Sequence, residues 1–179
     1  MTCATPLFAA SLIPSSVTAA LPEGYHMRPL QRTDYHGIRS VLSVLTTVGD
    51  YNEDEWHERF DWMHKRNQEY FVVVITDKND KLVATGSLIV ERKFIRSLGS
   101  VGHIEDIAVA ADQQGKKLGL RIIQALDALG ANAGCYKSIL DCSEKNRVFY
   151  EKCGYKLAGI QMAHYYDGGK AKDAPKEAL

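Results

Sequence analysis

Apolar residues recur along this chain with two different periods, and the switches between them mark its elements. Tyr25 to Arg28 reads as extended, because Pro29 disfavours helix in the residue ahead of it. Ile38, Val41, Leu42 and Leu45 follow at i, i+3, i+4 and i+7, one stripe of a helix that Thr33 or Asp34 would cap. Trp56, Phe60 and Met63 predict a second helix, and their spacing alone explains them as core. The pattern then tightens. Tyr70 to Thr76 is β-branched and aromatic, and the polar turn Asp77-Lys78-Asn79-Asp80-Lys81 joins it to a second strand, Leu82 to Glu91, as a hairpin. Val101 to Val109 reads as a third strand, although Glu105 and Asp106 stand in its middle. Adjacent carboxylates inside a strand are costly unless something uses them. Leu118, Ile122, Ala125, Leu126 and Leu129 form another helical stripe ending near Gly130 or Gly134. Lys137 to Leu140 is extended, Asn146 to Lys152 is a short helix stopped by Gly154, and Tyr155 to Tyr166 predicts a last strand.

The predicted class is therefore α+β, a mixed, mostly antiparallel sheet flanked by helices. Residues 25–166 would form the one domain. Residues 1–24 and 167–179 lack sustained periodicity and are expected to be appendages. Composition narrows the picture. Lys+Arg and Asp+Glu each number 22, so no global field draws the chain to nucleic acid or an anionic membrane. Cys3, Cys135, Cys142 and Cys153 have neither zinc-site nor disulfide-scaffold spacing, which suits reduced thiols in the cytoplasm. No Lys or Arg occurs from Met1 to Pro22, against a targeting segment, and no run approaches the ~20 apolar residues a membrane span needs. The six histidines are scattered without the His-Glu-x-x-His spacing, so no metal is expected.

The stretch Ile104-Glu105-Asp106-Ile107-Ala108-Val109, then Gln114-Gly115-Lys116-Lys117-Leu118-Gly119 opening a helix, holds the most chemistry. A strand, a glycine-containing loop and a helix start aim unpaired backbone N–H groups at one point, as a pyrophosphate site does. The same features also suit a plain strand-to-helix turn, and taken alone they leave both readings open. The Gln114 to Gly119 segment resembles the coenzyme A loop of the GNAT superfamily, with the pattern Arg/Gln-x-x-Gly-x-Gly/Ala. Lys117 stands where that pattern has its middle glycine, so the loop is expected to manage without positive-φ freedom there. Its ammonium would contribute charge toward a coenzyme A phosphate instead.

Several segments extend the resemblance in order. Leu45-Thr46-Thr47-Val48-Gly49, Val90-Glu91-Arg92-Lys93, Gly102 to Val109, Gly134-Cys135-Tyr136-Lys137, Leu140 to Asn146 and Phe149 to Tyr155 are similar to the eukaryotic glucosamine 6-phosphate N-acetyltransferases, over about Tyr25 to Met162. The resemblance implies a GNAT sheet and direct attack of the sugar amine on acetyl-CoA in a ternary complex, in the route to UDP-N-acetylglucosamine. It implies Glu105 as water-mediated proton acceptor, Asp141 as the group orienting the amine, and Tyr150 as general acid toward the leaving thiolate. Ile107, Ala108, Val109, Gln114, Gly115, Lys116, Lys117, Leu118, Gly119, Leu120, Asn146, Tyr150 and Lys152 would hold acetyl-CoA, with the Ile107 amide the candidate to polarise the thioester. Thr46, Lys93, Arg96, Glu105, Asp106, Tyr136, Lys137 and Asp141 would hold the acceptor. Because successive strand residues face opposite ways, Glu105 and Asp106 serve one site only if a bulge re-aims one. A homodimer with composite sites is implied as well.

One departure stands out near the C-terminus. The family pattern has a phosphate-binding arginine there, whereas this chain has Met162-Ala163-His164-Tyr165-Tyr166. Tyr165 donates one hydrogen bond but no charged fork, so the phosphate falls to Lys93, Arg96, Lys137 or His164, or the acceptor differs. Two rivals stay open: acetyl transfer to another amine, and a non-catalytic acyl-CoA-binding module.

Overall fold

The computed structural model describes residues 4–166, so Cys3 and the expected tail 167–179 lie outside it. Five strands form one sheet in the order β1 (His26–Pro29), β2 (Tyr70–Thr76), β3 (Leu82–Arg92), β4 (Ser100–Val109) and β5 (Cys135–Ile139). The first four pair antiparallel, and β4 pairs with β5 in parallel. A parallel pair needs a crossover, which α5 (Leu118–Asn132) supplies. The predicted mixed sheet with flanking helices is what forms.

Burial explains the centre. Every residue of β2 after Tyr70 is buried, so both faces of the sheet are covered there. The α5 stripe of Leu118, Ile122, Ala125, Leu126 and Leu129 packs across β2 to β5. Gly86 on β3 is what lets α5 come so close: a Cβ there would lie 2.4 Å from Ile122 and 2.5 Å from Ile107. The helix ends on Ala133, with Gly134 at φ +77 just beyond it, so of the two predicted stops Gly134 is the one used.

The helix α2 (Tyr35–Leu42) packs on β3 and β4. Asp34 occupies its N-cap position, but the carboxylate is taken by a two-pronged pair with Arg28 at 2.7 and 2.9 Å and by the Gln31 amide. The helix stops before Leu45, the last residue of its predicted stripe. The next helix, α3 (Glu53–His64), opens with a capping box between Asn52 and Glu55. The β3–β4 connection is a tight turn, α4 (Ile95–Leu98), in which Arg96, Ser97 and Leu98 all take positive φ.

Two expectations fail. The segment before Tyr25 is no appendage: a short helix, α1 (Ser15–Thr18), contacts α5, and Leu7, Phe8 and Ile13 are buried. Backbone bonds tie it down, Leu7 N–H to the Leu30 carbonyl at 2.8 Å and Arg32 N–H to the Thr5 carbonyl at 3.1 Å. Three scattered apolar residues leave no periodic trace, yet each is worth about 1.5–3 kcal/mol once buried. Tyr155 to Tyr166, in contrast, forms no strand. A strand exists only by pairing, and among the described residues no strand takes that segment as a neighbour. Leu157, Ile160, Met162 and Tyr166 are left almost fully exposed.

Candidate active site

The register between β3 and β4 slips beside the two carboxylates. Thr85 faces Ala108 and Ser87 faces Glu105, so β4 carries one extra residue over that interval. The extra residue is accommodated by Asp106, which takes left-handed φ of 55. This is the bulge that two consecutive carboxylates require, and Glu105 and Asp106 both reach solvent through it. Ile107 is re-aimed inward, over the space left by Gly86.

The second opening is made by β5. Its pairing with β4 ends at His103 and Ile139, while β4 continues to Val109. Among the described residues no strand therefore lies beside the outer edge of Ile104 to Val109, and its main-chain groups are offered to whatever enters. The helix α6 (Glu144–Lys152) follows β5 and forms the opposite wall. Between them lies a cleft of about 560 Å³ lined by Ile107, Ala108, Val109, the loop and helix start over 113–115 and 117–120, and Asn146, Phe149, Tyr150, Lys152 and Cys153.

Of the residues expected to hold the donor, Ile107, Ala108, Val109, Gln114, Gly115, Lys117, Leu118, Gly119, Leu120, Asn146, Tyr150 and Lys152 all line this cleft. The first bond of α5 runs from Arg121 N–H to the Lys117 carbonyl at 3.2 Å, so the amides of residues 118–120 have no partner within the helix. Amides with that freedom, at the positive end of a helix dipole, suit phosphate oxygens. Lys117 corrects one expectation: it does not avoid positive φ but adopts it, at φ 63. Without a glycine this costs about 1–2 kcal/mol, since Cβ crowds the next carbonyl. Lys116 departs from the rest and turns away from the cleft, donating to Tyr25 Oη and Gln113 Oε1.

A second cavity, of about 360 Å³, adjoins the first and is lined by Lys137, Asp141, Cys142 and Tyr150 among others. Tyr150 stands on the wall of both. Burial is the main cause pushing its phenol up to about 12, with Cys142, Cys153 and Glu105 adding to it. The group stays protonated across neutral pH. Burial also raises the Glu105 carboxyl, and the charges of Asp106 and Asp141 raise it further. Glu105, Asp141 and Tyr150 therefore share one electrostatic neighbourhood. Behind them Tyr155 Oη donates to Asp127 Oδ1 at 2.6 Å, anchoring the end of α6 to α5.

The remaining acceptor candidates are less gathered. Tyr136 is half-exposed on β5, with the Arg96 guanidinium 6.0 Å and the Lys137 ammonium 5.8 Å from its ring centre. Lys93 instead pairs with Glu91 at 2.7 Å, and His103 Nε2 lies 2.8 Å from the same carboxylate. Both contacts hold Glu91 below the usual carboxylate range. Thr46 is exposed beyond α2 and lines neither cavity; nor do His164 and Tyr165. Sequence reasoning missed Val44, Leu45, Gln113, Phe149 and Cys153 as cleft lining. The one available signal was Gly119: a side chain there would meet the Phe149 ring at 3.3 Å, so this glycine admits α6 to the start of α5.

Comparison with known proteins points to one family. Residues 30–155 match the family model described as the acetyltransferase (GNAT) family. The chain is 46% identical over 143 residues to the glucosamine 6-phosphate N-acetyltransferase of Candida albicans, covering 79% of this chain and 96% of that protein. It is 45% identical over 151 residues to glucosamine 6-phosphate N-acetyltransferase 1 of Dictyostelium discoideum, covering 83% and 96%. The crystal structure of glucosamine-6-phosphate N-acetyltransferase from Arabidopsis thaliana superposes with a TM-score of 0.78 at 39% identity, over 81% of this chain and 100% of that one.

Proposed function

We propose that this chain, which belongs to the acetyltransferase (GNAT) family, moves an acetyl group from acetyl-CoA to the amine of glucosamine 6-phosphate, giving N-acetylglucosamine 6-phosphate. One observation carries the reading: Tyr150 sits on the wall shared by the donor cleft and the cavity that holds Asp141 and Lys137. A transfer without a covalent enzyme intermediate needs donor and acceptor to meet at a common boundary, and this is the boundary the fold provides.

The residues divide the work. The free edge of β4, with the Ile107 amide foremost, pairs with the donor's arm as an added strand and polarises the thioester carbonyl. The open amides at the start of α5 receive the pyrophosphate. Asp141 orients the acceptor amine. Glu105 takes the amine proton through water, a role favoured by its raised carboxyl. Tyr150 donates its phenolic proton to the departing sulfur, and a hydroxyl pushed up to about 12 remains loaded for that step. Lys137, Arg96 and Tyr136 face the sugar and its phosphate, whose two negative charges need local cations.

The enzyme works as a homodimer in this proposal. Its support is the surface one protomer leaves uncovered: Phe94, Ile95 and Leu98 in the β3–β4 turn, and the apolar residues of 155–166. A second copy would also bring more cations to the phosphate, which matters because Lys93 is engaged by Glu91 and Tyr165 replaces the expected arginine. We place the reaction in the cytoplasm, in amino-sugar supply for UDP-N-acetylglucosamine. Among the described residues no helix is long and apolar enough to cross a membrane.

The test is release of free thiol from acetyl-CoA with glucosamine 6-phosphate or glucosamine as acceptor. A large preference for the phosphorylated sugar is expected. Equal use of unphosphorylated amines would reassign the acceptor, and binding of acetyl-CoA without acetylation of any amine would remove the enzymatic reading.

A further inference from the structure

The donor loop is braced from behind. Lys116 donates to Tyr25 Oη at 2.9 Å and to Gln113 Oε1 at 2.7 Å, and Tyr25 Oη donates to the same Gln113 oxygen at 2.6 Å. The Lys116 ammonium also lies 5.6 Å from the centre of the Tyr25 ring. Three groups thus close a triangle between the residue just ahead of β1 and the loop between β4 and α5. Gln113 is itself part of the cleft wall, and its amide is further fixed on Asp112 Oδ2 at 3.1 Å.

The anchored positions matter because of what lies between and after them. Gln113 and Lys116 flank Gln114-Gly115, where Gly115 turns the chain at φ +80. Lys117, directly after the anchored Lys116, holds the left-handed conformation that a side chain disfavours. A strained residue of this kind persists only where its surroundings over-determine it. A glycine at 117 would need no brace; a lysine does. The amides of residues 118–120 take their direction from the residue that precedes them.

We infer that Tyr25 is a positioning residue for the donor: through Lys116 and Gln113 it holds Lys117 left-handed and so aims the first amides of α5 into the cleft. The inference rests on the donor-cleft reading above. It also explains why Lys116, alone among the expected donor contacts, points out of the cleft: it serves the loop's shape and not the ligand directly.

A double-mutant cycle tests it. The four proteins are the unaltered chain, Tyr25→Phe, Lys117→Gly and the pair combined, each measured for kcat, for both Michaelis constants, and for coenzyme A binding by calorimetry. Tyr25→Phe is expected to raise the acetyl-CoA constant about fivefold, through the loss of one charge-assisted and one neutral bond, with kcat and the sugar-phosphate constant within about twofold. In the Lys117→Gly background the same change should cost under about twofold, because the relaxed loop no longer needs the brace. Lys116→Met, which keeps the apolar stem, should behave as Tyr25→Phe does in both backgrounds, and near-ultraviolet circular dichroism checks that each variant is folded. An unchanged acetyl-CoA constant, a loss confined to kcat, or an equal penalty in both backgrounds overturns the brace. If the unaltered chain binds no coenzyme A, the donor-cleft reading falls and takes the brace with it; if it binds normally and the cycle is additive, the brace alone falls.

Discussion

The two sides of this sheet are built to different standards of closure. Around β2 and the first half of β3 nearly every side chain is buried, and the segment before Tyr25 seals that region further. At the other edge β5 has no fully buried residue, α6 has none, and residues 156–166 are exposed throughout. Yet Tyr136, Lys137, Asp141, Asn146, Tyr150 and Lys152, six of the proposed functional residues, stand on that open edge. Burial is concentrated in one half and the proposed chemistry in the other. The closed half supplies a firm floor, ending in the β4 bulge, and the open half supplies groups left free to meet a ligand.

Substitutions on either side sharpen or break this division. Tyr150→Phe, on the open edge, should lower kcat about a hundredfold while leaving the melting temperature nearly unchanged. A comparable loss of stability would mean that the hydroxyl serves the fold and not proton transfer, since phenylalanine keeps the ring. Gly86→Ala, on the closed side, should do the reverse. Its methyl group would press on Ile122 and Ile107, costing about 1–3 kcal/mol in a denaturant titration with smaller effects on turnover. Lys137→Ala should raise the Michaelis constant for glucosamine 6-phosphate about tenfold and spare that for acetyl-CoA; movement of the acetyl-CoA constant instead would place Lys137 on the donor side. The smallest effect concerns pH. Asp106 raises the Glu105 carboxyl, so Asp106→Asn should let Glu105 ionise at lower pH and shift the acid limb of kcat/KM downward by a few tenths of a unit. A shift upward, or none, would remove Asp106 from the set of charges that tune Glu105.

What could be read in the sequence follows the same line. The closed half was legible because its residues obey periods: the β2 and β3 runs and the α5 stripe are dictated by burial on continuous faces. The elements of the open half were legible in outline, but its candidate chemistry only through segment likeness, since Asp141 and Tyr150 carry no periodic signal. The bulge lay between these cases. Two adjacent carboxylates in a strand announced that something unusual was needed, and the register slip at Asp106 is that something. Leu45 misled because it continues a helical stripe past the helix end, where it lines the cleft instead. Tyr155 to Tyr166 misled for a different reason: its composition suits a strand, but strand formation belongs to a pair of segments and not to one. Lys117 shows the limit of a motif argument, since tertiary bracing lets a lysine hold a shape that the pattern reserves for glycine.

The burial of Leu7, Phe8 and Ile13 sets a floor on how far this protein tolerates trimming. The family model begins at residue 30, and a chain shortened to that point would look like a whole catalytic unit. It would nonetheless uncover the hollow those three side chains fill and release the Leu30 carbonyl and Arg32 amide from their partners. The smallest soundly folded form therefore starts near Thr5, well upstream of where the family model begins.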